Sequence, residues 1–255
     1  MSLGNLRIVL VRPKFSGNIG AAARAMSNCG VRELHLVNPA TINRKEVDTF
    51  AVHARDVVEG MAVHETLQDA IGPCGFVVGT TCRKSPYRSS GGSLDVISPL
   101  IVSRLVNNRV ALVFGPEDTG LTNKDLFYCN RLLRIPTDKG FASLNVAQAV
   151  LLSCHAVFSV YGQTVEQPVD PRLATGERQQ FMLDRLEEAL SQIDFLNPEN
   201  PDHIMLALRD IFGRAGLHDR DVQILLGIAH RIGWYSRGKR EESGIDSPNI
   251  DLKER

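Results

Sequence analysis

Three separated stretches of this chain concentrate residue types that can do chemistry. The first is Ser16-Gly17-Asn18-Ile19-Gly20-Ala21-Ala22-Ala23-Arg24. Its small residues allow a tight turn and close backbone approach to a ligand or another chain. Asn18 can cap the helix it precedes, and free N–H groups at such a helix start attract anions. Arg24 stands on that helix among alanines, as an anion-binding group or a solvated one. The second stretch is Gly115-Pro116-Glu117-Asp118-Thr119-Gly120-Leu121. Its Gly-x-x-x-x-Gly spacing approaches a phosphate-binding loop, but Leu121 stands where the lysine is required, and two acids would repel a triphosphate. Acids in a glycine-rich loop suit ribose hydroxyls or a cationic ligand, or they cap the next helix, where Thr122 and Asp125 fit a capping pattern. The third stretch, Ile135-Pro136 through Ser143-Leu144-Asn145, runs into a long uncharged segment that Ser143 or Asn145 could cap.

These stretches need a frame. Short runs rich in Val, Ile and Leu occur at 8–11, 34–37, 76–78, 110–114 and 132–135. They read as strands buried on both faces. Helix-length stretches lie between them at 18–29, 44–58, 94–106 and 122–129. The alternation predicts an α/β fold around a parallel sheet. Such sheets bind ligands at the carboxyl ends of their strands, where all three stretches fall. No Gly-x-Gly-x-x-Gly is present, so a dinucleotide fingerprint is absent.

Between Lys139 and Glu166 there is no Asp, Glu, Lys or Arg. The segment is too polar for a membrane span and reads as a helix covered on most faces, against the sheet or at a subunit interface. Residues 163–176 break the pattern with Pro168, Pro171 and Gly176 and read as a linker. Residues 177–240 carry three helical periodicities. A tail, 241–255, is charged, aperiodic and expected to be disordered. The remaining domain is 1–162.

Composition bounds the function. The chain has 255 residues, 43% of them hydrophobic and 23% charged, with zero formal net charge. This excludes a wholly disordered chain and binding by overall charge alone. Residues 1–169 hold 17 Lys and Arg against 13 Asp and Glu; residues 170–255 hold 12 against 16. Any nucleic-acid surface is therefore local. The loop with Arg83, Lys84, Tyr87 and Arg88 could track phosphates and stack on a base, or simply be solvated. A second basic cluster, Arg231, Arg237, Lys239 and Arg240, lies near Trp234 and Tyr235. No apolar run reaches membrane length, and the first strand does not read as a secretory signal. Cys29, Cys74, Cys82, Cys129 and Cys154 are an odd set without a Cys-x-x-Cys, which argues against a disulfide framework and for a cytoplasmic setting. No metal is expected: His53 and His64 lack partners at ligand spacing, and His35 reads as a core or surface residue.

Taken in order, Asn18-x-Gly20-x-x-x-Arg24, then Gly115-Pro116-Glu117 with Gly120-Leu121, then Ile135-Pro136 with Ser143-Leu144-Asn145 resemble the three motifs of the SPOUT, or trefoil-knot, RNA ribose 2′-O-methyltransferases. The likeness spans residues 6–161. With its helical C-terminal extension, the chain is similar to the branch that methylates the ribose of cytidine or uridine 32 in the tRNA anticodon loop. The resemblance implies a parallel sheet with a C-terminal trefoil knot, followed by a small all-α domain. It implies S-adenosylmethionine as methyl donor, held by Thr80, Gly115, Glu117, Gly120, Ile135, Ser143, Leu144 and Asn145. Arg24, Asn18 and Ser143 would be the catalytic residues, with Arg24, Arg83, Lys84 and Arg88 on the RNA. It further implies a homodimer through the uncharged helix, with Arg24 serving a site shared between protomers. Ribosomal RNA as substrate, and a catalytically silent RNA-binding protein on the same scaffold, are the alternative readings.

Overall fold

The computed structural model describes residues 3–82, 91–138, 140–163 and 172–242, without the side chains of 163 and 237–242. The five expected strands form as β1 (Leu6–Val11), β2 (Glu33–Val37), β4 (Phe76–Thr80), β6 (Val110–Phe114) and β7 (Arg131–Leu133), joined by two short ones, β3 (Ala62–His64) and β5 (Gly91–Gly92). All pair in parallel in the order β3-β2-β1-β6-β4-β7-β5. The two extra strands escape a search for apolar runs because they are two or three residues long and one is Gly-Gly.

Every residue of β1 is buried. Leu6, Ile8 and Leu10 face one layer and Val9 and Val11 the other, since alternate side chains leave opposite faces of a strand. The first layer is closed by α1 (Ser16–Asn28), α2 (Arg44–Ala51), α3 (Arg55–Glu59), α5 (Leu94–Leu105) and α7 (Val146–Gln163). The second is closed by α4 (Leu67–Ile71) and α6 (Asn123–Phe127). The stretch 44–58, expected as one helix, is two. Val52 breaks it with φ of +52°, a left-handed backbone that a β-branched residue rarely adopts.

His35 and His64, on adjacent strands, share a hydrogen bond of 2.7 Å between Nδ1 and Nε2. Burial, with Arg7, His64 and Arg109 nearby, lowers the pKa of His35 to about 4. The native protein therefore holds this ring neutral where an unfolded chain, near 6.5, would protonate it. Stability contributed by the neutral ring is complete above pH 6.5 and is lost as pH falls towards 4. Urea unfolding at pH 7.5 and 5 should show a loss of about 1–2 kcal/mol from this source. The His35→Gln variant should lack that component.

The helical domain comprises α8 (Gly176–Gln192), α9 (Asp202–Ala215) and α10 (Asp219–Glu242). Met182, Leu183, Leu186, Met205 and Val222 form its core. It docks on the α4–α6 side of the sheet. Arg131 donates to the carbonyls of Gly213 and Arg214 at 3.2 and 3.1 Å, capping the end of α9. The Arg209 guanidinium lies 4.0 Å from the centre of the Phe127 ring. Gly176 N–H bonds to Cys74 O at 2.9 Å. The chain ends of α8 and α9 are thus tied to the sheet domain by directional contacts. Among the described residues, no helix is long and apolar enough to cross a membrane.

Candidate active site

In a parallel sheet every strand points its carboxyl end to the same edge. The order β1-β6-β4-β7 therefore makes neighbours of four loops far apart in sequence. A cavity of about 260 Å³ opens between the last three. Thr80, Gly115, Glu117, Gly120, Ile135, Ser143 and Leu144 all line it. Thr80 Oγ1 donates to Val113 O at 3.0 Å, which holds β4 against β6 at the cavity floor. The loop after β6 closes on itself through Gly120 N–H to Pro116 O at 2.9 Å. A Cβ on Gly115 would lie 2.2 Å from the backbone of Gly120 and Leu121, so only glycine permits this fold of the loop. Gly120 is needed for a different reason, its φ of +64°.

The described cavity lining contains Glu117 and Asp118 and no Lys, Arg or His. Leu121, Leu133, Ile135 and Leu144 supply apolar walls. An apolar slot with acids and backbone-exposing glycines suits a nucleoside carrying positive charge and repels a triphosphate.

Beside the cavity lies an open trough floored by the outward face of α1. Asn18, Arg24, Ser143 and Asn145 line it. Glu117, Ser143 and Leu144 border both spaces and so form their common wall. Arg24 is exposed, and among the described residues no side chain or carbonyl pairs with it.

Asn18 departs from its expected capping role. The N-cap of α1 is Phe15, and Asn18 is the third residue of the helix, within its first turn. Its amide donates to Glu117 Oε1 at 2.8 Å, and its Oδ1 accepts from Asn145 Nδ2 at 2.9 Å. Three loops are thereby linked through one side chain. Asn145, grouped by sequence with the cavity residues, lines the trough instead; its Oδ1 accepts from Ala147 N–H at 2.9 Å and caps α7. Thr122 and Asp125 do form a capping box at α6. Arg83, Lys84 and Arg88 lie outside the described residues.

Sequence reasoning missed Lys14. Its backbone N–H donates to Glu117 Oε2 at 3.1 Å and its Nζ pairs with Asp118. That hydrogen bond holds the Asp118 carboxyl below the usual range. Arg12, with φ of +50°, grips Asp125 through its two terminal guanidinium nitrogens, Nη1 and Nη2. Burial would raise Asp125, but hydrogen bonds from Arg12 and Thr122 outweigh it and keep the carboxyl low. No spacing rule could reveal pairs about one hundred residues apart; their only signal is two bases just after a buried strand.

If the Asn18 link orders the loops, its charge state matters. Asn18→Asp would set a second carboxylate against Glu117 and remove a donor. We expect it to lower the methyl-transfer rate more than Asn18→Ala does, each variant compared by single turnover at saturating donor.

Sheet, cavity and trough fit the α/β methyltransferase architecture that the three motifs resemble. The family described as SpoU rRNA methylase matches residues 5–155, and that described as tRNA methyltransferase TrmJ, C-terminal domain, matches residues 178–243. The chain belongs to the SpoU methylase family and carries the TrmJ-type C-terminal domain. It is 34% identical to the tRNA (cytidine/uridine/adenosine-2′-O-)-methyltransferase TrmJ of Pseudomonas aeruginosa, over 92% of this chain and 96% of that protein. To the tRNA (cytidine/uridine-2′-O-)-methyltransferase TrmJ of Escherichia coli K12 it is 32% identical, covering 94% of this chain and all of the relative. The crystal structure of TrmJ from Z. mobilis ZM4 superposes with a TM-score of 0.78 at 28% identity, covering 89% of this chain and 98% of that one.

Proposed function

We propose that this enzyme transfers a methyl group from S-adenosylmethionine to the ribose 2′-hydroxyl of nucleotide 32 in the tRNA anticodon loop, as a cytoplasmic homodimer. The observation that carries this reading is the common wall between an acid-lined cavity and a more open trough whose arginine pairs with none of the described residues. One space suits a cationic nucleoside and the other an anionic polymer. tRNA is preferred over ribosomal RNA because the C-terminal domain is of the TrmJ type and the relatives above are named for tRNA.

Thr80, Gly115, Gly120, Ile135 and Leu144 would hold the donor, with Glu117 towards its hydroxyls. When bound, the donor supplies a sulfonium methyl that is already electrophilic. The protein's task is to align the ribose oxygen and help its proton leave. Arg24 is a poor base, because guanidinium stays protonated in proteins. It holds an RNA phosphate or stabilises the developing alkoxide, while a phosphate oxygen or water takes the proton. Asn18 orients that end of α1 against Glu117, and Ser143 supports the reacting hydroxyl. Arg83, Lys84 and Arg88 belong to the RNA surface in this reading.

The dimer face is α7. Val146, Val150, Cys154 and Val157 turn into the core, whereas Leu151, Leu152 and Phe158 remain exposed on a helix with no charge. Residues 1–162 and 177–240 act as catalytic and tRNA-docking domains joined by 163–176.

The test is mass spectrometry of digested tRNA after incubation with enzyme and donor. One new 2′-O-methyl nucleoside at position 32 is expected. Methylation only of ribosomal RNA, or of neither RNA, would overturn the assignment.

A further inference from the structure

The chain has ten phenylalanines, and three of them converge, exposed, on the Arg24 trough from three separate segments. Phe15, Phe50 and Phe141 expose 61%, 50% and 79% of their surface. Each sits where local stability argues for something else. Phe15 is the N-cap of α1, a position that favours Ser, Thr, Asp or Asn, and it makes no side-chain capping bond. Phe50 is the penultimate residue of α2, two residues before the left-handed Val52, a strained backbone of the kind that collects at functional sites. Phe141 stands in the loop that carries Ser143 into the site.

Phe50 is also built into place. Gly20 lets α2 settle against α1, since a Cβ there would meet Val47 O at 2.2 Å. The Phe50 ring then lies over Gly17, where an added Cβ would be 3.0 Å from it. Glu46, one turn earlier, accepts the Gly17 N–H at 3.2 Å. The ring is thus fixed at the mouth of the trough rather than left on a mobile loop.

We infer that Phe15, Phe50 and Phe141 are stacking platforms for unpaired RNA bases beside the target ribose. Sequence-specific RNA recognition relies on bases splayed from loops and stacked on aromatic rings, with cations on the neighbouring phosphates. The trough supplies both. Its carboxylates are already committed, Glu46 to Gly17 and Glu117 to Asn18 and Lys14, which leaves the Arg24 charge for an external anion. That charge, amid exposed rings, is complementary to RNA, while Leu151 of the proposed dimer face borders the same trough. The inference rests on the methyltransferase reading and names the groups that would present its substrate.

The full-length protein would be titrated with a short RNA hairpin carrying 2-aminopurine at successive loop positions, without donor. In the wild type, fluorescence at one or two loop positions should be quenched on binding. Phe50→Ala and Phe15→Ala should remove the quench and raise the Kd for the hairpin about 5- to 100-fold, with donor affinity by calorimetry unchanged. Phe50→Leu keeps apolar bulk over Gly17 but has no ring face, so it should resemble Phe50→Ala. Phe50→Tyr should restore both readouts. Wild-type hairpin affinity and quench in the alanine variants would overturn the inference even with methylation intact. So would variants that dissociate the protomers in sedimentation while binding hairpin normally, which would assign the rings to a second copy. Normal quenching in a protein that methylates no RNA would instead sink the enzymatic reading and leave the stacking surface standing.

Discussion

Replacing Arg24 with alanine should lower the single-turnover rate about 10²–10³-fold, the loss seen when one preorganised donor to a developing oxyanion is removed. Donor affinity should stay within a factor of two or so, because Arg24 lines the trough and not the cavity proposed for the donor. The informative comparison is Arg24→Lys. If guanidinium acts by holding charge in a fixed fork, lysine keeps the charge but not the geometry, and activity should remain at least tenfold down with an unchanged pH profile. Near-complete rescue by lysine with a new ionisation in the rate profile would identify the residue as the proton acceptor and refute the electrostatic role. Since Arg24 is exposed and pairs with none of the described residues, neither variant should shift the unfolding midpoint appreciably.

The second large effect belongs to Gly115. A methyl group there is driven into the backbone of Gly120 and Leu121 at 2.2 Å, and backbone cannot rotate away as a side chain can. Gly115→Ala should force the β6 loop open, cost about 3 kcal/mol of stability and abolish calorimetrically detectable donor binding. Gly120→Ala is the instructive control. Nothing lies within 4 Å of a Cβ at that position, and only the φ of +64° is unfavourable. It should cost about 1–2 kcal/mol and weaken donor binding without eliminating it. Equal effects from the two substitutions would show that the loop is malleable and that its packing does not shape the cavity.

Both predictions depend on contacts between the strand-end loops. The site is pre-assembled by Asn18, which joins Glu117 on one loop to Asn145 on another, and by Lys14 and Arg12, which tie the β1 loop to the loop and helix after β6. A defect in any of these should appear first in the methyl-transfer rate and only later in donor binding, because these links gather around the wall between the spaces.

Much of this architecture is written into the chain locally. Five apolar runs became five parallel strands because a strand buried on both faces needs apolar residues at every position, a pattern visible without partners. The helical module was legible from its 3.6-residue period, and the glycine-rich stretches announced strand-end loops. Residues 44–58 show the limit: read as one helix from sequence, they break at Val52, whose φ of +52° no residue type there announces. Asn18 shows it again, being a sound capping residue by type and position that turns its amide to Glu117 because the sheet order brings that acid within reach. Sequence alone therefore determined the parallel α/β frame, the helical appendage and the strand-end stretches where chemistry was to be sought, since these follow from hydrophobic period and residue type. The separation of the cavity from the trough, the place of Asn145 on the trough side, and the gathering of three phenylalanines around Arg24 were decided by tertiary structure. They depend on which strands become neighbours, and hydrophobic period carries no record of that order.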